Sequence, residues 1–226
     1  MFKSLQPKDL VSEVLEEIKS TLVEGKWAPG SKFVEATVAK QFGISRSPIR
    51  EATRTLAQLG LLKMKPGKGF YVCSPTEQDI RNLYDLRLML QAFSIKQVFK
   101  RGTELNLAKT LQDIQDQIKQ AQSDGDKQRY QVLNLDFHRR ICVASGNSHL
   151  INSYDSTADE LKFVINVGGT VFDHMDFITE RTEAIVNALL SQDIDACSKA
   201  ISDYIEKAVI NVTNSYTNKI NQQIMT

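Results

Sequence analysis

Three arginines, Arg46, Arg50 and Arg54, recur every four residues near the start of a short predicted helix, within "GISRSPIREATRTLAQLG" at residues 43–60. The first turn of a helix exposes unpaired N–H groups and carries the positive end of the helix dipole, so cations are disfavoured there. Guanidinium groups in this place are typical of a surface that meets a polyanion. They can also donate paired hydrogen bonds to the edge of a guanine base.

The helix that carries these arginines has recognisable start signals. Ser47 is predicted to be the N-cap, Pro48 suits the first helical position, and Glu51 places one carboxylate near the first turn. An apolar stripe with spacings of three and four residues comprises Ile49, Ala52, Leu56 and Leu59. Because this stripe faces a core, we expect the arginines to lie on another, solvent-exposed face.

Basic charge is concentrated in the same part of the chain. Residues 1–75 contain 12 Lys and Arg against 7 Asp and Glu, whereas the remaining residues contain 16 against 20, within a net charge of only +1. Between Lys40 and Lys68, seven cations are opposed only by Glu51. A local basic excess of this kind indicates a nucleic-acid-binding surface.

Composition limits the remaining classes of protein. With 226 residues, 24% of them charged and 42% hydrophobic, the chain resembles an ordinary globular protein of one large or two smaller domains. It lacks an apolar run long enough to span a membrane, and "MFKSLQPKDL" lacks the features of a signal peptide, so we expect a cytoplasmic protein with no membrane partner. Cys73, Cys142 and Cys197 lack CxxC spacing, which argues against disulfide and zinc-thiolate frameworks.

The order of predicted elements divides the chain in two. Four elements are predicted before Pro75. They are a helix over "KDLVSEVLEEIKSTLVEG", a short helix that ends at Gly43, the helix with the three arginines, and a basic hairpin with its turn at "PGKG". This is the order of a winged helix-turn-helix, assigned to residues 1–75. Thr76 and Asp79 then form a predicted capping box. Helices follow near 77–101, 103–122, 126–145, 148–168, 172–190 and 193–217.

The predicted fold class is therefore mainly α, a winged helix-turn-helix followed by an all-α helical bundle over residues 76–226. Three stretches of the sequence carry a resemblance to a known family of proteins. "VAKQFGISRSPIREATRTLAQLGLLKMKPGKGFYV" resembles the DNA-binding domain of the GntR family of bacterial regulators, whose members carry V-S-R-T-P-V-R-E-A-L at the recognition helix and P-G-x-G in the wing. "NLDFHRRICVASGNSHL" and "RTEAIVNALLSQDIDACSKAI" resemble the FadR-type C-terminal domain.

The resemblance implies a set of DNA-contacting residues. Arg46 and Arg50 would reach base edges in the major groove, while serine hydroxyls and exposed amides would bind phosphate. The wing tip would approach the minor groove or the backbone. The implied contacts are Ser45, Arg46, Ser47, Arg50, Arg54, Gly67 and Lys68. Some relatives have an arginine where this chain has Ala36, so that contact does not carry over.

The resemblance also raises the question of a metal. Similar proteins often hold a divalent ion through a carboxylate four residues before a histidine that corresponds to His138, and through two further histidines. Those three other ligands correspond here to Asn134, Thr182 and Tyr204. A single imidazole does not make a transition-metal site, and Asp136, two residues away along a helix, points elsewhere. His149 and His174 lie outside the pattern. We therefore predict no metal and no cofactor.

Arg87 raises a different possibility for the helical half. It lies in "LYDLRLMLQAF", a segment apolar on most sides, so its guanidinium is expected to be at least partly buried and to need an anionic partner. One interpretation is an anionic effector, an organic acid or phosphorylated metabolite, bound by Arg87, Asn134, His138, Thr182 and Tyr204. The other is an internal salt bridge and a structural histidine. The sequence leaves both open.

The predicted function is a homodimeric, sequence-specific DNA-binding regulator, with repression as the expected mode, that responds to a small molecule and binds a double-stranded operator. Twofold operators match twofold proteins, and one winged helix covers too few bases for useful specificity. One alternative is a winged-helix module for protein interactions without an effector. The other is a metal-assisted hydrolase, which lacks a nucleophile motif, a phosphate-binding loop and a metal constellation.

Overall fold

The computed structural model describes residues 8–169 and 175–224, which contain nine helices and three strands. The N-terminal elements are α1 (Lys8–Val23), β1 (Lys32–Phe33), α2 (Glu35–Phe42), α3 (Arg46–Gln58), β2 (Leu62–Lys65) and β3 (Gly69–Val72). The remaining helices are α4 (Glu77–Arg101), α5 (Glu104–Ser123), α6 (Lys127–Ala144), α7 (Ser148–Gly168), α8 (Met175–Leu190) and α9 (Ile194–Ile224). The predicted fold class, a winged helix-turn-helix followed by a helical domain, is confirmed.

The residues pack into two units. Among the described residues, one unit contains those up to Pro75 together with Asp159–Val167, and the other contains Thr76–Ala158 and those from Gly168 onward. The division into domains at residues 75 and 76 remains our prediction. No helix in the described part of the chain is long and apolar enough to cross a membrane.

The core of the N-terminal unit holds α3 in place. The predicted apolar residues Ile49, Ala52 and Leu56 of α3 are fully buried, and α3 packs against α1. The corresponding buried residues of α1 are Val14, Ile18 and Leu22. Burial of one face of α3 on this scale leaves its opposite face free for solvent or a ligand.

The wing is a three-stranded antiparallel sheet in the order β1, β3, β2. Lys65 pairs with Gly69 at the end of the predicted hairpin, and Leu62 pairs with Val72. The two-residue strand β1, in which Phe33 pairs with Phe70 and is 2% exposed, was not predicted. Two residues are too few for an alternating pattern, so only the tertiary pairing reveals this strand.

The predicted start of α3 was wrong by two residues. Ser45, not Ser47, is the N-cap, with extended backbone angles, and Arg46 is the first helical residue. Pro48 is thus the third helical residue, where its missing N–H costs nothing because the first four N–H groups of a helix have no partner inside the helix. As a consequence, Glu51 lies beyond the first turn, and the first turn contains no acidic residue.

The helical unit begins as predicted. The Thr76 side chain accepts a hydrogen bond from the Asp79 amide, and the Asp79 carboxylate accepts one from the Thr76 amide, which confirms the capping box. Helix α4 packs on α6 and α9, while α5 packs on α6 and α8. Helix α9 ends seven residues later than predicted, at Ile224. The predicted start of α8 at residue 172, and His174, lie outside the described residues.

Candidate DNA-binding surface and effector site

The arginines of α3 form an exposed cationic face. Arg46, Arg50 and Arg54 are all solvent-exposed, opposite the buried apolar stripe. Within the described ranges, neither Arg46 nor Arg54 forms an ion pair. Three guanidinium groups that follow one face from the first turn onward are placed to bind a polyanion that approaches the helix end.

The start of α3 has groups suited to an anion. Ser45 and Ser47 are exposed, and the Ser45 side chain makes no capping hydrogen bond although this residue is the N-cap. The Ser45 hydroxyl therefore does not occupy the amides of the first turn. Free amides at the positive end of a helix dipole, without an acid in the first turn, favour a phosphate at this position.

One of the three arginines has an acidic neighbour. Arg50 Nε lies 3.8 Å from Glu35 Oε2 at the start of α2, and the Arg50 side chain is 59% exposed. A long ion pair with one exposed and one half-buried partner contributes little free energy, so Arg50 can readily bind another anion instead. The role of Glu35 was not predicted from the sequence because the contact joins two helices, although Glu35 stands in the first turn of α2.

The wing carries a second set of exposed cations. The Lys68 amide donates a 3.0 Å hydrogen bond to the Lys65 carbonyl, which closes a turn with Pro66 and Gly67 in its centre. Gly67 has a φ of +70°, as the third position of a type II turn requires. Gly67 and Lys68 are exposed at the tip, and Lys65 Nζ lies 4.1 Å from the centroid of the Tyr71 ring.

Arg87 is the most unusual charge of the helical unit. It is 3% exposed, and its Nε and Nη2 atoms have no hydrogen-bond partner. Its guanidinium carbon lies 5.6 Å from the ring centroids of both Tyr84 and Tyr204. The expected burial is therefore present, but no carboxylate pairs with Arg87 within residues 8–169 and 175–224. The internal salt bridge therefore has no support in these residues. A buried cation without an anionic partner is costly, which favours a ligand that supplies the anion.

A cluster of buried polar groups surrounds Arg87. His138 Nδ1 lies 2.9 Å from Gln91 Oε1, and the centroids of the His138 and Tyr204 rings lie 4.2 Å apart. Asn134 exchanges hydrogen bonds of 3.2 and 3.3 Å with the Tyr204 hydroxyl. His138 Nε2 and Gln91 Nε2 are buried without a partner. Buried polar atoms normally have partners, so the unpaired ones at this place leave donors and acceptors available for further hydrogen bonds.

The protonation state of His138 follows from its burial. Desolvation, with a smaller effect of the Arg87 charge, holds the pKa of His138 well below 6.5, so the ring is neutral at pH 7. Gln91 Oε1 can only accept a hydrogen bond, which makes His138 Nδ1 the donor. The unpartnered Nε2 atom is consequently an acceptor.

The predicted effector residues do not all meet. Arg87, His138, Tyr204 and Asn134 form one connected group, whereas the Thr182 hydroxyl donates a 2.6 Å hydrogen bond to Gln115 of α5. Thr182 shares no described hydrogen bond with that group. Two tyrosines beside Arg87, Tyr84 and Tyr154, were not predicted from the sequence; the Arg87 charge acts on the pKa of both hydroxyls, opposing the increase that burial causes. Tyr84 lies one helical turn before Arg87, a spacing that could have signalled it.

The four positions that correspond to metal ligands do not fit a metal. Only His138 is a strong ligand, while Thr182 and Tyr204 contribute neutral hydroxyls and Asn134 an amide that is bonded to Tyr204. The described residues contain no group of three His, Cys, Asp or Glu side chains that could hold an ion.

Protein purified without chelators is therefore expected to contain less than about 0.1 equivalent of zinc, nickel or manganese, the level of adventitious metal. Added metal should leave the melting temperature unchanged, because only an ion that binds the folded state stabilises it by mass action. Elemental analysis checks the first point, and one retained equivalent would contradict it.

His138 also predicts a pH dependence of stability. Its folded-state pKa is lower than its unfolded value of 6.5, so the unfolded chain binds more protons as the pH falls. Its contribution is fully present above pH 6.5 and is lost below it, at up to about 1.4 kcal/mol per pH unit. Urea unfolding at pH 7.5, 6.5 and 5.5 should show a shallower loss in His138→Gln. The exposed His149→Gln control should follow the wild type, and equal slopes for all three proteins would contradict the assignment.

An exposed cationic recognition helix and wing, followed by a helical domain with a buried polar cluster, define a winged helix-turn-helix regulator with a sensor-like second domain. The chain matches the model of "Bacterial regulatory proteins, gntR family" over residues 10–72 and that of the FCD domain over residues 82–207. It belongs to the GntR family, in the subfamily with an FCD domain, and is a DNA-binding transcriptional regulator rather than an enzyme.

Individual relatives agree with this assignment. The uncharacterized HTH-type transcriptional regulator YdhC of Bacillus subtilis (strain 168) is 32% identical over 173 residues, which are 74% of this chain and 76% of that protein. The gluconate operon transcriptional repressor of the same organism is 31% identical over 61% of this chain and 56% of its own length. Among solved structures, E. coli McbR/YncC has a TM-score of 0.71 at 20% identity, covering 93% of this chain and all of the other.

Proposed function

We propose that this regulator represses transcription in the cytoplasm by binding a twofold operator as a homodimer, and that a small organic anion in the helical domain alters its affinity for DNA. The main support for an anionic effector is the buried Arg87 guanidinium, which lacks a carboxylate partner among the described residues. The proposed DNA contacts are Ser45, Arg46, Ser47, Arg50, Arg54, Gly67 and Lys68.

On the DNA, each group has a role that its position supports. The exposed guanidiniums of Arg46 and Arg50 read base edges in the major groove, and the hydroxyls of Ser45 and Ser47 bind phosphate next to the α3 amides. Lys68 at the wing tip binds backbone phosphate. Arg50 exchanges Glu35 for a base edge when DNA binds, because an ion pair with a separation of 3.8 Å is weak.

The buried cluster favours a particular class of effector. Arg87 presents two free N–H donors for a carboxylate, and His138 Nε2 presents a free acceptor for a hydroxyl. The Tyr204 hydroxyl and the Asn134 amide are hydrogen-bonded to each other, whereas the buried Tyr154 hydroxyl has no hydrogen-bond partner. A hydroxy acid, with its carboxylate on Arg87 and a hydroxyl on His138, satisfies both kinds of atom. One relative is named after the gluconate operon, and gluconate belongs to this class.

Charge balance separates a carboxylate from a phosphate ester. Arg87 supplies one positive charge, and His138 is neutral because burial lowers its pKa. A carboxylate carries one negative charge at pH 7, whereas a phosphate monoester carries nearly two. We therefore expect sugar acids to bind this site more tightly than phosphorylated metabolites. Because the Thr182 hydroxyl donates its proton to Gln115, Thr182 remains a proposed contact as a hydrogen-bond acceptor, or as a donor if the effector displaces that bond.

A thermal-shift screen of hydroxy acids, sugar acids, sugar phosphates and acyl-thioesters tests the proposal. At least one carboxylate should stabilise the protein by several degrees at concentrations far above its Kd. The same compound must change operator affinity, and operator DNA must change the affinity for the compound by the same factor. If no compound with a carboxylate or phosphate stabilises the wild type, the proposed effector site is wrong, whereas the DNA-binding assignment stands.

A further inference from the structure

One face of α4 is lined with exposed side chains along most of its length. They recur every three or four residues and comprise Asn82, Asp85, Met89, Phe93, Lys96 and Lys100. This spacing places them in a single row, which we call the α4 stripe. Met89 and Phe93, in its centre, are 61% and 47% exposed, which is unusual for two large apolar side chains one turn apart.

The charges of the α4 stripe lie at opposite ends of this apolar centre. Asp85 lies on the N-terminal side, and Lys96 and Lys100 lie on the C-terminal side. Within the described part of the chain, neither Asp85 nor Lys96 forms an ion pair. The stripe therefore has an acid, two apolar residues and bases in that order along the helix.

This order complements itself when a second copy of the helix runs antiparallel. A twofold axis near residue 91 places Met89 opposite Phe93 of the partner subunit and Asp85 opposite Lys96 of the partner subunit. The symmetry repeats both pairs, as in any isologous contact. A parallel arrangement would instead place acid against acid and base against base, which is unfavourable.

We propose that the α4 stripe is the contact through which two copies of this chain form a dimer, with their α4 helices antiparallel. The inference rests on the homodimer of the proposed function and adds its surface and register. Affinity comes from burial of the four apolar side chains, at the centre of the contact. The two ion pairs at its edge set the register and contribute little to affinity.

Sedimentation velocity of the full chain tests the apolar centre. The wild type should sediment as a dimer of the 25.5 kDa chain at micromolar concentration. The double variant Met89→Lys, Phe93→Lys should dissociate at least about 100-fold more readily, because four cations would meet at the axis. The control Leu190→Lys changes an apolar residue that is 52% exposed outside the stripe and should remain a dimer.

A charge exchange tests the antiparallel register. Asp85→Lys and Lys96→Asp should each weaken the dimer about tenfold, because each creates two like-charge contacts. The double variant Asp85→Lys, Lys96→Asp should restore wild-type affinity, which only opposed positions can do. A dimer unaffected by all of these changes would overturn the α4 contact and leave the proposed dimeric regulator intact. A wild type that binds its full operator as a monomer would overturn the proposed homodimer itself.

Discussion

Arg50→Ala should weaken binding to the selected operator by about 1–3 kcal/mol per half-site, which is roughly 5- to 150-fold. The reason is that an exposed guanidinium one turn into α3 is expected to donate two hydrogen bonds to a guanine, and alanine can donate none. Binding to random DNA should fall much less, because it depends on total charge rather than on base edges. Fluorescence anisotropy with both DNAs at one salt concentration measures the two effects.

Lys68→Ala is the matched control for this prediction. It removes one exposed cation from the wing tip without removing a proposed base contact. Binding to operator and random DNA should therefore weaken about equally. The slope of log affinity against log salt should become shallower by about one unit for each phosphate that the variant no longer neutralises. If Arg50→Ala and the wild type bind the operator equally, Arg50 does not contact a base.

Arg87→Met should abolish the response to the effector found by the screen, with affinity reduced by about 2–5 kcal/mol, or at least thirtyfold. Methionine fills a similar volume but cannot bind a carboxylate. Because the replaced cation is buried without an acidic partner in the described residues, the free protein should be as stable as the wild type or more stable. Isothermal titration and thermal unfolding of the free protein measure these two effects.

Arg87→Lys provides the matched control, since it retains the charge but not the paired donors. Its effector affinity should lie between those of the wild type and Arg87→Met. Operator binding without effector should be unchanged in both variants. If Arg87→Met unfolds the free protein, Arg87 is a structural cation with an acidic partner, and the effector proposal loses its main support.

Local signals in the sequence predicted much of the fold. The capping box at Thr76 and the glycine after Arg101 define α4 to the residue. Other features depend on tertiary contacts that no local pattern contains. The strand β1 exists because Phe33 pairs with β3, and the start of α3 was misplaced because Pro48 is tolerated anywhere in the first turn.

The candidate sites were predictable to different degrees. The exposed cations of α3 and the wing follow directly from helical spacing and turn chemistry. The burial of Arg87 was expected from its apolar neighbours in α4, but its position between Tyr84 and Tyr204 depends on how α9 packs on α4. The hydrogen bond from Thr182 to Gln115 likewise joins α8 to α5 and has no sequence signature.

Selection of binding sites from a random double-stranded DNA library distinguishes a sequence-specific dimeric regulator from a protein that binds DNA through charge alone. We predict that the wild type enriches a twofold-symmetric sequence whose half-sites each contain a guanine that is no longer selected by Arg50→Ala. Specific binding should exceed random binding by about a thousandfold or more at physiological salt. Enrichment of no sequence over the starting library would contradict sequence-specific binding, and selection of the same guanine by Arg50→Ala would contradict the base contact of Arg50.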